Sequence, residues 1–135
     1  MERYILSHDM GTGSDKAVLV DYSGNIAATA VAPYPTFYPN PAWAEQDPED
    51  YWKAVAQSSR RIIEDTGISP EQIKGIVFST QAQGIIPVDR DGAVLYNNIT
   101  WVDGRAQKQA ENIMKKLGGK KLFSMVAGTP IMGKD

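Results

Sequence analysis

Ile5-Leu6-Ser7-His8-Asp9-Met10-Gly11-Thr12-Gly13-Ser14-Asp15-Lys16-Ala17-Val18-Leu19-Val20-Asp21 reads as strand, tight polar loop and strand. Tyr4 to His8 and Ala17 to Val20 are short β-branched, aromatic and aliphatic runs around a stretch of glycines and hydroxyls, which predicts a β-hairpin. The loop carries more chemistry than a bare turn requires. Gly11 and Gly13 let the backbone approach a ligand or take positive φ, Thr12 and Ser14 add hydroxyls beside backbone N–H groups, and Lys16 adds a cation, a combination suited to phosphate. The Asp9 carboxylate would repel phosphate directly, so its role in such a site is to hold a hydrated Mg2+ that bridges to phosphate oxygens. The chain has no G-x-x-x-x-G-K-[ST], and Gly11-x-Gly13 leads into a strand, not a helix, which sets aside two common nucleotide loops. An ordinary hairpin loop containing Gly and Asp is the alternative reading.

Beyond the hairpin, Tyr22-Ser23-Gly24-Asn25 is turn chemistry, and Ile26 to Ala32 predicts a third antiparallel strand. The stretch 33–47 holds Pro33, Pro35, Pro39 and Pro41 with Tyr34, Phe37, Tyr38 and Trp43, and reads as a surface loop pinned by aromatic packing. Asp47 is a helix N-cap followed by Pro48 at the first helical position and acids in the first turn. Tyr51, Trp52, Val55, Ser59, Ile62, Ile63 and Thr66 then define the face expected to pack on a sheet, until Gly67 stops the helix. Ser69-Pro70-Glu71 begins a short turn, and Lys74 to Ser79 reads as a buried central strand.

Three antiparallel strands, a crossover helix and a further strand predict an α/β mixed sheet of the ribonuclease H type flanked by helices, with the first strand central. Thr80-Gln81-Ala82-Gln83-Gly84 leaves the last of these strands at its C-terminal end, where open α/β sheets favour ligands, and its two amides suit hydroxyl-rich molecules. A plain polar loop is the other reading. Ile85 to Val88 and Ala93 to Tyr96 predict a hairpin through Asp89-Arg90-Asp91-Gly92. After Trp101-Val102-Asp103-Gly104-Arg105 comes a helix with Ala106, Ala110, Ile113, Met114 and Leu117 on one face and Gly118 at its end. Trp101 could stack on a sugar ring. Asp103 and Arg105 could bond its hydroxyls, cap the helix or pair with each other.

The 135 residues are the size of one domain, and a net charge of −2 without a basic stripe argues against a nucleic-acid surface. Without cysteine there is neither a disulfide framework nor a thiolate metal site. No apolar run approaches the roughly 18 residues of a membrane span, so no membrane association and a cytoplasmic location are expected. The single histidine, His8, has no sequence partner for a metal site and is expected to be structural. A nuclease of the ribonuclease H type would need several carboxylates around two metals, whereas Gln81 and Gln83 stand where Asp9 would need acidic partners.

Asp9-Met10-Gly11-Thr12-Gly13-Ser14-Asp15-Lys16-Ala17 resembles the first phosphate motif, D-x-G-T-x-S-x-[KR]-A, of the FGGY carbohydrate kinases. Related loops occur in actin, Hsp70 and hexokinase. Ala42-Trp43-Ala44-Glu45-Gln46-Asp47-Pro48-Glu49-Asp50-Tyr51-Trp52 resembles the family's G-W-x-E-Q-D-P-x-x-W-W, Ser79 to Gly84 its S-x-Q-x-x-G, and Trp101 to Ala106 its W-x-D-x-R. These stretches, in family order, span nearly the whole chain.

The resemblance implies ATP- and Mg2+-dependent phosphorylation of a sugar or polyol hydroxyl, with wording closest to xylulokinases. It places Mg2+ at Asp9, nucleotide phosphates at Gly11, Thr12, Ser14 and Lys16, and the sugar at Gln81, Ala82, Gln83 and Trp101, with Asp103 and Arg105 in support. Ala82-Gln83 departs from the Met-His of xylulokinase-like members and the Arg-Glu of glycerol kinases, which bears on the choice of sugar. Family members are several times longer. Residues 1–135 are therefore expected to be the N-terminal portion of the first domain, inactive alone, with the general-base aspartate beyond residue 135 and a separate nucleotide-binding domain. Homodimerisation is a further expectation. The competing reading is a non-catalytic sugar- or phosphate-binding or dimerisation module derived from such a kinase.

Overall fold

The computed structural model describes residues 2–127, which divide into two compact units, 2–35 with 47–81 and 36–46 with 82–127. In the first unit β1 (Tyr4–Met10), β2 (Ser14–Asp21), β3 (Ile26–Pro33) and β5 (Ile73–Thr80) form one sheet in the order β3-β2-β1-β5. The β1–β2 and β2–β3 pairs are antiparallel and β1–β5 is parallel, so the sheet is mixed and β1 is internal to it, as expected. The parallel partner requires a crossover, which α1 (Pro48–Thr66) and a 3-10 turn (Pro70–Gln72) supply.

Local chemistry sets the limits of α1. The Asp47 carboxylate accepts from Glu49 N–H at 2.9 Å, Pro48 occupies the first turn, and Gly67 closes the helix at φ +67° with its N–H on Ile63 O at 2.9 Å. A side chain at that φ is strained, so Gly67→Ala should destabilise by about 1 kcal/mol in denaturant unfolding. The helix buries Ala54, Val55, Ser58 and Ile62 against β2 and β3. Ile62 joins Tyr4, Leu6, Ala17, Leu19 and Ala30 in the main core, while Ala54 packs with Ala32 and Tyr34. Trp52 was expected on this face, but it is 67% exposed. The buried stripe runs through Ala54 and Ser58, because small residues let the helix approach the sheet more closely.

Polar groups lie under the same helix. His8 and Asp15, both wholly buried, pair through Nδ1 and Oδ2 at 2.9 Å, and Ser58 Oγ donates to the same carboxylate oxygen at 2.5 Å. Ser59 Oγ lies 3.3 Å from His8 Nε2, and the His8 ring stacks on Phe78 at 5.2 Å between centroids. The structural role expected for His8 is therefore realised.

The structure corrects the expectation for β5. Ile76, Val77 and Phe78 are each at least half exposed, and β5 is an outer strand among the described residues. The apolar run Ile76-Val77-Phe78 suits a strand covered on both faces, but among the described residues α1 packs mainly on β2 and β3.

In the second unit β4 (Glu45–Gln46) pairs antiparallel with β6 (Asn98–Ile99), extended by bridges from Phe37 to Glu45 and from Ile85 to Ile99. The expected hairpin of Ile85–Val88 with Ala93–Tyr96 reduces to one bridge, Val88 to Val94, around a turn in which Asp89 Oδ1 accepts from the N–H groups of Asp91 and Ala93. Pro87 has no N–H for a ladder, and Ile85 pairs with Ile99 instead. Helices α2 (Gln107–Lys116) and α3 (Lys120–Ala127) follow. α2 buries Ala110 and Met114, whereas Ile113 and Leu117, expected on the same face, are about half exposed. Among the described residues no helix is long and apolar enough to cross a membrane.

Candidate active site

The hairpin register sets Asp9 opposite Lys16 and Met10 opposite Asp15. Side chains alternate along each strand, so His8 and Asp15 turn towards α1 while Asp9 and Lys16 share the other face. There Asp9 Oδ2 and Lys16 Nζ stand 3.9 Å apart, both more than half exposed, a loose pair that a ligand could rearrange at small cost. Gly11 N–H donates to Ser14 O at 3.0 Å and tightens the turn that carries Thr12 and Gly13.

Of the two uses considered for Gly11 and Gly13, positive φ is not the one observed. A Cβ on Gly11 would meet only Ser14 O at 3.7 Å, and one on Gly13 would meet nothing within 4 Å. Their effect is an unobstructed backbone surface. Among the described residues no group of three or more His, Asp or Glu could hold a metal ion. Asp9 thus offers one exposed carboxylate, the donor set that suits a cation keeping most of its water shell.

At the end of β5, Ser79 lies beside Asp9 and Thr80 beside Met10, and the next residue, Gln81, donates its N–H to Met10 O at 2.8 Å. Its Nε2 reaches Tyr51 Oη at 3.3 Å. Asp9, Gly11, Thr12, Ser14, Lys16 and Gln81 are accordingly all positioned by the first unit, around one end of β1.

Ala82, Gln83, Trp101, Asp103 and Arg105 belong to the second unit. Ala82 and Gln83 are exposed, and Gln83 takes φ +64°, a conformation uncommon for a residue with a side chain. Gly84 is confined, since a Cβ there would sit 2.7 Å from Asn98 Oδ1. Trp101 is 37% exposed.

Of the three roles considered for Asp103 and Arg105, the structure shows pairing. Arg105 donates Nε to Asp103 Oδ1 at 2.9 Å and Nη2 to Asp103 Oδ2 at 2.8 Å, and Nη2 also reaches Glu45 Oε1 at 2.7 Å. Its guanidinium lies 3.9 Å from the centroid of the Trp43 ring. Asp103 Oδ2 accepts from Ala44 N–H at 2.7 Å, while Glu45 accepts from Tyr96 Oη at 2.7 Å and Asn97 Nδ2 at 3.1 Å. Asp103 is not the α2 cap, since Ala106 occupies that position without a side-chain bond. Sequence reasoning assigned no role to Glu45, Trp43 or Tyr96. The first two lie in the quoted Ala42 to Trp52 motif, which is the signal that could have marked them.

Burial opposes ionisation of Glu45 and Asp103, but donors from Tyr96, Arg105 and Asn97 on Glu45, and from Arg105 and Ala44 on Asp103, outweigh it and hold both carboxyls below their usual range. The Asp103 hydrogen bonds, with help from Glu45, raise the Arg105 guanidinium against the effect of burial. Both carboxyls bind protons more weakly folded than unfolded. Their stabilising contribution is complete above the ordinary values of 4.5 and 3.8 and is lost as pH falls through the lower folded values. The near-UV melting midpoint should therefore stay level from neutrality to mild acid and drop below that range, and a midpoint unchanged down to pH 3 would contradict it.

Residues 4–133 match the N-terminal domain of the FGGY family of carbohydrate kinases. The chain belongs to this family, and its mixed sheet is the ribonuclease H-like fold shared with actin, hexokinase and Hsp70. A glycerol kinase from Thermococcus gammatolerans is 37% identical over 118 residues, which are 87% of this chain and 24% of that protein. Crystal structures of two Lactobacillus acidophilus enzymes superpose on this chain. The gluconate kinase has a TM-score of 0.84 at 28% identity, covering 99% of this chain and 26% of that one. A ligand-bound xylulose kinase has a TM-score of 0.78 at 29% identity, covering 91% and 24%. The chain spans about a quarter of the length of the curated relatives it matches.

Proposed function

We propose that the protein carrying this chain transfers the γ-phosphate of ATP, with Mg2+, to a hydroxyl of a sugar or polyol, and that the acceptor is a xylulose-like ketose. The observation that carries the reading is the Asp9–Lys16 pair across an unobstructed glycine and hydroxyl turn, with Gln81 leaving β5 beside it. In this reading Gly11, Thr12, Ser14 and Lys16 receive the nucleotide phosphates. Asp9 would hold hydrated Mg2+, which when bound neutralises phosphate charge. Gln81, Ala82, Gln83 and Trp101 meet the acceptor. Asp103 and Arg105 support the segment that carries Trp101, since their charges are spent on each other and on Glu45.

Positioning dominates phosphoryl transfer, and the nucleophile, metal and phosphates must be held together. This chain then contributes the N-terminal part of the first kinase domain. The general base and the adenine site lie elsewhere in the protein, and residues 1–135 alone do not turn over. The relatives named above act on glycerol, gluconate and xylulose, and the wording of the motifs favours xylulose among them. The cytoplasm and a homodimer complete the proposal.

A second reading, a sugar- or phosphate-binding or dimerisation module without turnover, is favoured by the lack, among the described residues, of any group of three or more His, Asp or Glu that could hold a metal ion. An ATP-consumption assay over pentuloses, polyols and aldonates separates the two, run on this chain and on the longest reading frame that begins with it. Turnover in the long form alone, lost on Asp9→Ala, is expected. Ligand binding without turnover in either form would favour the module.

A further inference from the structure

Two tyrosines outside the proposed site brace the Gly11–Gly13 turn within the first unit. Tyr34, buried just after β3, donates its hydroxyl to the Gly11 carbonyl and its backbone N–H to Gly13 O at 3.1 Å. Both glycines of the turn are therefore held by one residue from outside the hairpin. The Tyr34 ring meets Tyr51 edge-on, with centroids 5.0 Å apart and planes at 75°. The Tyr51 hydroxyl accepts from Gln81 Nε2, and the Gln81 N–H returns to Met10 O, which closes a circuit around the loop. Burial, then the neighbouring Tyr51, Asp15 and Asp9, push the Tyr34 phenol up to about 12, so it remains a protonated donor under any conditions in which a kinase works.

Glycines have the most backbone freedom to lose, and a phosphate loop gains affinity when it is ordered before the ligand arrives. Gly11 and Gly13 have no side chains with which to order themselves. We infer that Tyr34, buttressed by the Tyr51 ring, is a positioning residue that preorganises the Gly11–Gly13 turn for nucleotide phosphate. The inference rests on the phosphotransfer reading and adds residues outside its motifs.

The test is calorimetric titration of Mg·ADP into the longest reading frame that begins with this chain. Tyr34→Phe removes one hydroxyl and keeps the ring. It should weaken Mg·ADP about five-fold, the equivalent of one neutral hydrogen bond, with a thermal midpoint near wild type. Tyr51→Leu, which removes the ring behind Tyr34, should also weaken Mg·ADP, and Tyr51→Phe, which restores the ring, should recover most of the loss. Mg·ADP affinity in Tyr34→Phe within two-fold of wild type overturns the inference, whatever the midpoint does. If Tyr34→Phe does not fold, equal affinities for Tyr51→Leu and Tyr51→Phe overturn it instead. A wild type that does not bind Mg·ADP, or binds it equally well as Asp9→Ala, fails the phosphotransfer reading itself and takes this inference with it.

Discussion

Arg105→Ala is expected to destabilise the protein by about 3–5 kcal/mol, measured by denaturant unfolding followed through Trp fluorescence. An exposed ion pair would contribute about 1 kcal/mol at most, so burial decides the size. Glu45 and Asp103 are 3% and 1% exposed, and each takes a short bond from the same guanidinium. Truncation at 105 leaves two carboxylates in the interior without their cation and uncovers one face of Trp43. Arg105→Lys should recover little, because an ammonium cannot span two carboxylates as a planar fork does. Adding Asp103→Asn and Glu45→Gln to Arg105→Ala should cost less than adding their separate effects, since the stranded charges disappear. A loss below about 1 kcal/mol for Arg105→Ala would show the network to be solvated.

Asp9→Ala should do the reverse, lowering ATP-dependent turnover of the long form by about 10²–10³-fold or more while changing stability by less than about 0.5 kcal/mol. Its side chain is 55% exposed and pairs loosely with Lys16 Nζ, 3.9 Å away, so little of the fold depends on it. What depends on it in the proposed reading is the cation beside the Gly11–Gly13 turn, where Asp9 is the exposed carboxylate. Steady-state kinetics at saturating and limiting Mg2+ check this, and a variant within ten-fold of wild type at both would remove Asp9 from the metal role.

The hairpin, the third strand, the capped crossover helix and the parallel return strand were legible because each is marked locally, by alternation, by Asp47-Pro48 or by Gly67. The position of a strand in its sheet is not local information. Ile76-Val77-Phe78 reads the same at a sheet's centre as at its edge, and among the described residues α1 packs mainly on β2 and β3 and these side chains are exposed. Trp52, Ile113 and Leu117 failed for a related reason: hydrophobicity predicts a preference for burial, while the closeness of packing elements picks the neighbouring small residues or Met114. At the candidate site the motif residues could be read, but the groups that hold them could not. Tyr34 and Tyr51 looked like loop and helix aromatics, and Glu45 like one acid among several, because their bonds cross 23 to 60 residues of sequence.

The His8–Asp15–Ser58 cluster constrains how this sequence can change. Either member of the pair, replaced alone, leaves a buried polar group of the other without its partner beneath α1, with a cost of about 1–3 kcal/mol that is a large share of a typical domain's stability. An apolar pair of matched volume, such as His8→Phe with Asp15→Leu, avoids that cost and keeps a ring against Phe78. The two positions therefore form a valley between two viable peaks. A library that samples positions 8 and 15 one at a time should find almost nothing tolerated, while one that samples them together should recover folded variants that no single step can reach.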